Sequence, residues 1–155
     1  MSSVIPNQFH FVFVKQTEPF HLMFYLCIES CLQVNKPDNV YFHYLNEPYG
    51  KLGEIIREKI IPVQLDQEAY RARGEFLKQK IAVKKYKDKN SYAHISDFVR
   101  LEKLVENGGI YADLDTLFVN KIPEQLTKKS FVMGREMDFR DKPTSQSTPS
   151  LCNAV

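Results

Sequence analysis

The chain has 155 residues, 43% of them hydrophobic and 12% aromatic, which fits one domain with a sizeable core. Its formal net charge of +2 is too small to make nucleic acid the main partner. Three cysteines, Cys27, Cys31 and Cys152, make no closed disulfide set and no C-x-x-C metal pair, which fits a reducing compartment.

The N-terminus, "MSSVIPNQFHFVFVKQ", shows no charged segment ahead of an apolar one, so no secretory leader is read. Its Phe- and Val-rich part, residues 8–14, predicts a buried strand. "PFHLMFYLCIESCLQVN" predicts a helix opened by Pro19 and apolar around most of its surface. The longest apolar run, residues 22–28, falls far short of the ~20 residues that span a bilayer. No transmembrane segment is therefore expected. The expected location is the cytoplasm, with peripheral membrane association left open.

A Pro-Asp-Asn turn leads into a second strand at 39–45. "KLGEIIREKI" reads as a short amphipathic helix and "IPVQL" as a short strand or connector. "KQKIAVKKYKDKN", with six lysines, reads as a solvated helix face or as a surface for an acidic acceptor or anionic membrane. "SYAHISDFVRLEKLVENGG" is the clearest helix. Ser91 is its N-cap candidate, Ile95, Phe98, Val99, Leu101, Leu104 and Val105 its apolar stripe, and Gly108 or Gly109 its left-handed end.

A strand is expected at 110–114. Beyond it come a turn with about one helical turn at 121–130, a short strand at "FVMG", a mobile loop at 141–150, and the start of a strand at "LCNAV". No internal repeat is present. Strands and helices alternate, which predicts an α/β domain with a mainly parallel sheet and a site at the strands' carboxyl ends.

"GGIYADLDTLFVN" poses the chemical question. Asp113 and Asp115 lie two residues apart in an apolar run, so a strand would put both on one face with Tyr111, and Ile110, Ala112 and Leu114 on the other. Two ionised carboxylates side by side are costly without a compensating charge. Mn²⁺ or Mg²⁺ supplies that charge: both prefer oxygen ligands, keep waters, and share one or two carboxylates with substrate phosphates. D-x-D alone is a weak signal, and a pair of turn aspartates is the plain alternative; Glu136-Met137-Asp138 is a similar pair with no assigned role. A haloacid-dehalogenase-type phosphatase is a further alternative. Its D-x-D-x-T motif is not matched, because Thr116 follows Asp113 by three residues rather than four. On the preceding helix Asp97 and Arg100 are i, i+3. A carboxylate and a guanidinium beside a metal–diphosphate site suit a sugar nucleotide.

"AHISDFVRLEKLVENGGIYADLDT" resembles the A-x-x-S-D-x-x-R-x-x-x-L-x-x-x-G-G-x-Y-x-D-x-D block of glycosyltransferases with a DXD sugar-binding region. That group includes initiating mannosyltransferases, capsular polysaccharide synthesis enzymes and glucosylating toxins. "IPNQFHFVFV" is similar to the family's N-terminal I-P-x-x-x-H strand, but the Trp expected after the His is absent. The resemblance implies a GT-A-like, Rossmann-like fold with a mainly parallel mixed sheet flanked by helices, spanning 1–155 as the N-terminal part of one domain that is incomplete at its C-terminus. It implies transfer of a hexose, with retention, from a UDP- or GDP-linked sugar to a glycan, glycolipid or protein acceptor, as in polysaccharide biosynthesis. It also implies that Asp97, Arg100, Tyr111, Asp113 and His10 contact the donor, that Asp115 and Asp113 hold Mn²⁺ or Mg²⁺, and that Ser96 is structural. A non-catalytic nucleotide-sugar-binding fragment is the alternative of a different class.

Overall fold

A computed structural model of the chain describes residues 4–14, 18–70, 72, 91–135 and 151–152. At its centre is β1 (Gln8–Phe13), paired in parallel with β2 (Asn39–Tyr44) on one side and β4 (Ile110–Tyr111) on the other. Strand β3 (Ile61–Gln64) adds in parallel to β2, giving the order β3-β2-β1-β4. Helices α1 (Leu22–Asn35), α2 (Lys51–Arg57) and α3 (Ser91–Asn107) fall between the strands, and a single helical turn, α4 (Glu124–Thr127), follows β4. Two-residue strands β5 (Gly134–Arg135) and β6 (Leu151–Cys152) pair antiparallel. The α/β class and the mainly parallel sheet are thus as the alternation predicted.

The period of two in β1 divides the core. Phe9, Phe11 and Phe13 pack with Phe24, Cys27, Ile28 and Cys31 of α1, together with Val40, Phe42 and Ala112. Val12 and Val14 face the opposite way, into a cluster with Ile95 and Val99 of α3, Tyr70 and Tyr111. A sheet buried on both faces takes near-continuous apolar strands, which is why "FHFVFV" does not alternate in polarity. Phe11 and Phe13 are core residues in this arrangement, at 0% and 1% exposure.

Several expectations need correction. Pro19 does not open the first helix: it forms a parallel bridge with Tyr49, and α1 begins at Leu22 after His21 in extended conformation. Nor is α1 apolar to the core all round, because Leu22, Met23 and Leu26 are exposed. Leu101 and Val105 of α3 are likewise exposed, so the stripe that packs is Ile95 and Val99, with Leu104 partly buried against it. Ser91 is the first helical residue rather than the cap. The fourth strand ends at Tyr111, and Asp113 accepts a turn hydrogen bond from Thr116 N at 3.0 Å. "FVMG" contributes only Gly134 to a strand. The lysine run at 78–89, the expected loop at 141–150 and Glu136–Asp138 lie outside the described residues.

Among the described residues no helix is long and apolar enough to cross a membrane.

Candidate functional site

The chain runs from β1 outward to β2 and β3, then returns across the sheet to place β4 on the other side of β1. The gap beyond the carboxyl ends of β1 and β4 is therefore a topological switch point, where open parallel sheets take their ligands. A cleft of about 340 Å³ lies there, lined by Val12, Phe13 and Val14 from the end of β1, Met23 and Phe24 from α1, Ser96 from α3, and Tyr111, Asp113, Leu114 and Asp115.

The segment that carries the two aspartates is held at both ends. Helix α3 stops at Asn107 because Gly108 and Gly109 take φ of +67° and +96°, the left-handed region that glycine enters without Cβ strain. The chain then turns directly into β4, where His10 and Tyr111 are register partners and Ala112 N donates to His10 O at 3.2 Å. Below the site, polar side chains of α1 hold the loop that leaves it. The Cys27 thiol donates to Asp113 O at 3.4 Å, Phe118 N donates to Ser30 Oγ at 3.1 Å, and Ile122 N donates to Asn35 Oδ1 at 3.0 Å. In the sequence Cys27 stands out only as an unpaired cysteine, and Ser30 and Asn35 not at all. The available signal was their polarity within a helix that is otherwise so apolar.

Within the cleft, Tyr111 donates its phenol proton to Asp113 Oδ1 at 2.5 Å. Burial, and next that hydrogen bond, push the phenol well above its usual pKa, while the Ser96 hydroxyl bonded to it pulls the other way. Tyr111 is therefore a neutral donor that fixes the Asp113 carboxylate. The Arg100 guanidinium lies 4.6 Å from the centroid of the Tyr111 ring and bonds to Asp97 Oδ1. Arg100 is 7% exposed, and the Asp97 carboxylate is considerably more open. The Cys27 thiol beneath the turn is pushed up to about 12, chiefly by burial and then by the charges of Asp115 and Asp113, so it stays protonated.

The structure thus brings Tyr111, Asp113 and Asp115 to one cleft, with Ser96 beside them. Both acids line the cleft although β4 ends before them, but Leu114, expected on the opposite face, lines it too. Asp97 and Arg100 stand behind Tyr111 rather than on that wall. His10 is a correction. It is 0% exposed, with Nε2 on Gly108 O and Nδ1 on His43 Nε2, each at 3.0 Å, so it has no free edge to offer a donor.

The donor set suits a hard divalent cation in one respect that can be checked. Among the described residues no three His, Cys, Asp or Glu side chains gather as a closed metal site. Two carboxylates lining the cleft match an ion that completes its shell with water and phosphate oxygens.

Comparison with known proteins gives this architecture a class. Its fold is similar to that of the solved PaToxG glycosyltransferase, at a TM-score of 0.50 and 18% identity, over 77% of this chain and 46% of that one. The model of the family "Glycosyltransferase sugar-binding region containing DXD motif" matches residues 25–132, and the chain belongs to that family. Among curated proteins it is 28% identical over 161 residues to glucan organizing enzyme 1 of Cryptococcus neoformans var. grubii serotype A. That alignment covers 98% of this chain but 40% of the relative, so the chain spans less than half the length of the proteins it matches.

Proposed function

We propose that this glycosyltransferase region binds a nucleoside-diphosphate sugar, UDP- or GDP-linked, in the switch-point cleft, and passes its hexose to an acceptor hydroxyl with retention. One observation carries the reading: Asp113 and Asp115 line the same cleft, one of them held by a neutral buried tyrosine. Asp115, the more exposed of the two, is the direct ligand for Mn²⁺ or Mg²⁺, with Asp113 assisting. Such an ion, when bound, offsets the charge of the departing diphosphate.

The remaining roles belong to the chain itself. In transfer, the acceptor oxygen bonds to the anomeric carbon, the carbon–oxygen bond to the diphosphate breaks, the diphosphate leaves with the electron pair, and the acceptor's hydroxyl proton passes to a departing diphosphate oxygen. Tyr111 orients Asp113 toward the donor. Arg100 lies against the Tyr111 ring and is itself held by Asp97, so this pair supports the donor site through Tyr111. Val12, Val14 and Met23 give the cleft its apolar lining. The fungal relative's name favours a glycan over a lipid or protein as acceptor.

Thermal stabilisation by UDP or GDP with Mn²⁺ tests the donor reading. It is expected in the unaltered chain and lost in Asp115→Ala. Release of nucleoside diphosphate from a panel of sugar donors, by this chain and by a longer one, then separates an enzyme from a binding module. Phosphatase activity that survives Asp115→Asn and vanishes in Asp113→Asn would overturn the assignment.

A further inference from the structure

The two stretches that carry the family resemblance lie far apart in the sequence, and the structure shows how they lock. Pro6, Gln8 and His10 alternate along one side of the chain entering β1, and all three meet the end of α3. The Pro6 ring lies 3.2 Å from where a Cβ on Gly108 would stand. Gln8 Nε2 donates to Asn107 O at 2.6 Å, and His10 Nε2 meets Gly108 O at 3.0 Å. These side chains satisfy carbonyls that a helix end leaves without partners.

The hydrogen bonds fix every proton in the pair behind them. A carbonyl only accepts, so His10 carries its proton on Nε2 and its Nδ1 is a bare lone pair. His10 Nδ1 must then accept from His43 Nε2–H across 3.0 Å. His43 is left with a bare Nδ1, buried and with no hydrogen-bond partner among the described residues. Both imidazoles stack with Tyr41, with centroids 5.1 Å apart for His10–Tyr41 and 6.3 Å for Tyr41–His43, and a phenylalanine at 43 would fill this space but leave His10 Nδ1 without its donor. What the histidine adds is one directional bond that holds the His10 ring by its Nδ1.

That bond bears on the cleft. His10 holds Gly108 through its side chain and Ala112 through its main-chain oxygen, so both ends of the segment preceding Asp113 are anchored on one residue. We infer that His10 is a positioning residue for the donor cleft and that His43 serves it by holding its ring through Nδ1. This inference rests on the donor-site reading above.

The test compares the unaltered chain with His43→Phe, which removes the bond and keeps the ring, and with His43→Gln, whose amide keeps a donor. Long-range proton–nitrogen spectra of the histidine rings are expected to show the Nε2–H form for both residues in the unaltered chain, and for His10 in His43→Phe as well, since Gly108 O still accepts there. Affinity for UDP or GDP with Mn²⁺ is expected to fall about fivefold in His43→Phe, the worth of one hydrogen bond, and to recover in His43→Gln. Exchange of the Tyr111 and Ala112 amides is expected to quicken by about the same factor in His43→Phe. An Nδ1–H tautomer at His10 in the unaltered chain, or unchanged affinity and exchange in His43→Phe, overturns the inference. If neither nucleotide binds the unaltered chain, the donor reading fails by itself; amide exchange then decides the positioning role, quickened exchange supporting it and unchanged exchange overturning it.

Discussion

Replacing Gly109 by alanine should cost far more than the same change one residue earlier. Both glycines have positive φ, at +96° for Gly109 and +67° for Gly108. The left-handed region near +60° costs an L-residue about 1–2 kcal/mol, and Gly108→Ala adds only contact with the Pro6 ring at 3.2 Å, which can give slightly. Gly109 lies further from that region, where strain runs to roughly 1–3 kcal/mol. Its Cβ would also stand 2.6 Å from Gln8 O and 2.7 Å from Gln8 Cγ. The oxygen belongs to the backbone at the start of β1, so relief requires β1 and β4 to move apart, an overpacking cost of about 1–3 kcal/mol. The sum is about 4 kcal/mol for Gly109→Ala against about 1–2 for Gly108→Ala. At roughly 2–4 °C per kcal/mol for a chain of this size, the melting temperature should fall by about 8–16 °C in the first and by about 2–8 °C in the second. Circular dichroism melts with matched urea titrations measure both. If Gly109→Ala proves no less stable than Gly108→Ala, the close approach of β4 to β1 is not what holds the aspartate segment, and the account of the turn is wrong.

Three other outcomes follow from the same contacts. Tyr111→Phe keeps the ring over Arg100 but removes the bond to Asp113, so nucleotide–Mn²⁺ affinity by calorimetry should fall about fivefold with little loss of stability. Asn35→Ala strands the Ile122 amide and should cost about 2 kcal/mol in urea unfolding, a value near zero ruling out the loop anchor. Acid should destabilise the fold through His43, whose pKa is lowered to about 3, first by burial and then by His10 and Lys103, with Glu102 opposing and the Tyr41 ring adjoining. Below the ordinary value of 6.5 the unfolded chain binds a proton that the folded one refuses, so the stability present above pH 6.5 drains as pH falls toward 3, by about 1.4 kcal/mol per unit. Urea midpoints at pH 7.5, 6 and 5 should show that decline, and His43→Phe should reduce it to the share of His10, whose pKa burial also lowers.

The sequence carried the larger architecture because its signals were local. Alternating strands and helices, the glycine pair ending α3 and two acids following an apolar run each depend on neighbouring residues. Where it misled, a distant partner decided. Pro19 looked like a helix start, but its bridge to Tyr49 holds it extended. The strand expected to reach Leu114 ends at Tyr111, because Asp113 O takes Thr116 N in a turn and the Cys27 thiol from below. His10 matched a motif whose outline is visible in sequence, yet its role depends on His43, 33 positions away, and Gly108, 98 positions away. Leu101 and Val105 satisfy helical spacing without being buried, since periodicity marks a stripe but does not say which side of it another element covers.

The Cys27 thiol offers a practical consequence. It is 1% exposed, protonated up to about pH 12, and bonded to the carbonyl of an aspartate on the cleft wall. An alkylating reagent can reach it only when α1 and the turn above it part. The rate at which Cys27 is modified is therefore a clock for breathing of the cleft floor, and a nucleotide that seats there should slow it.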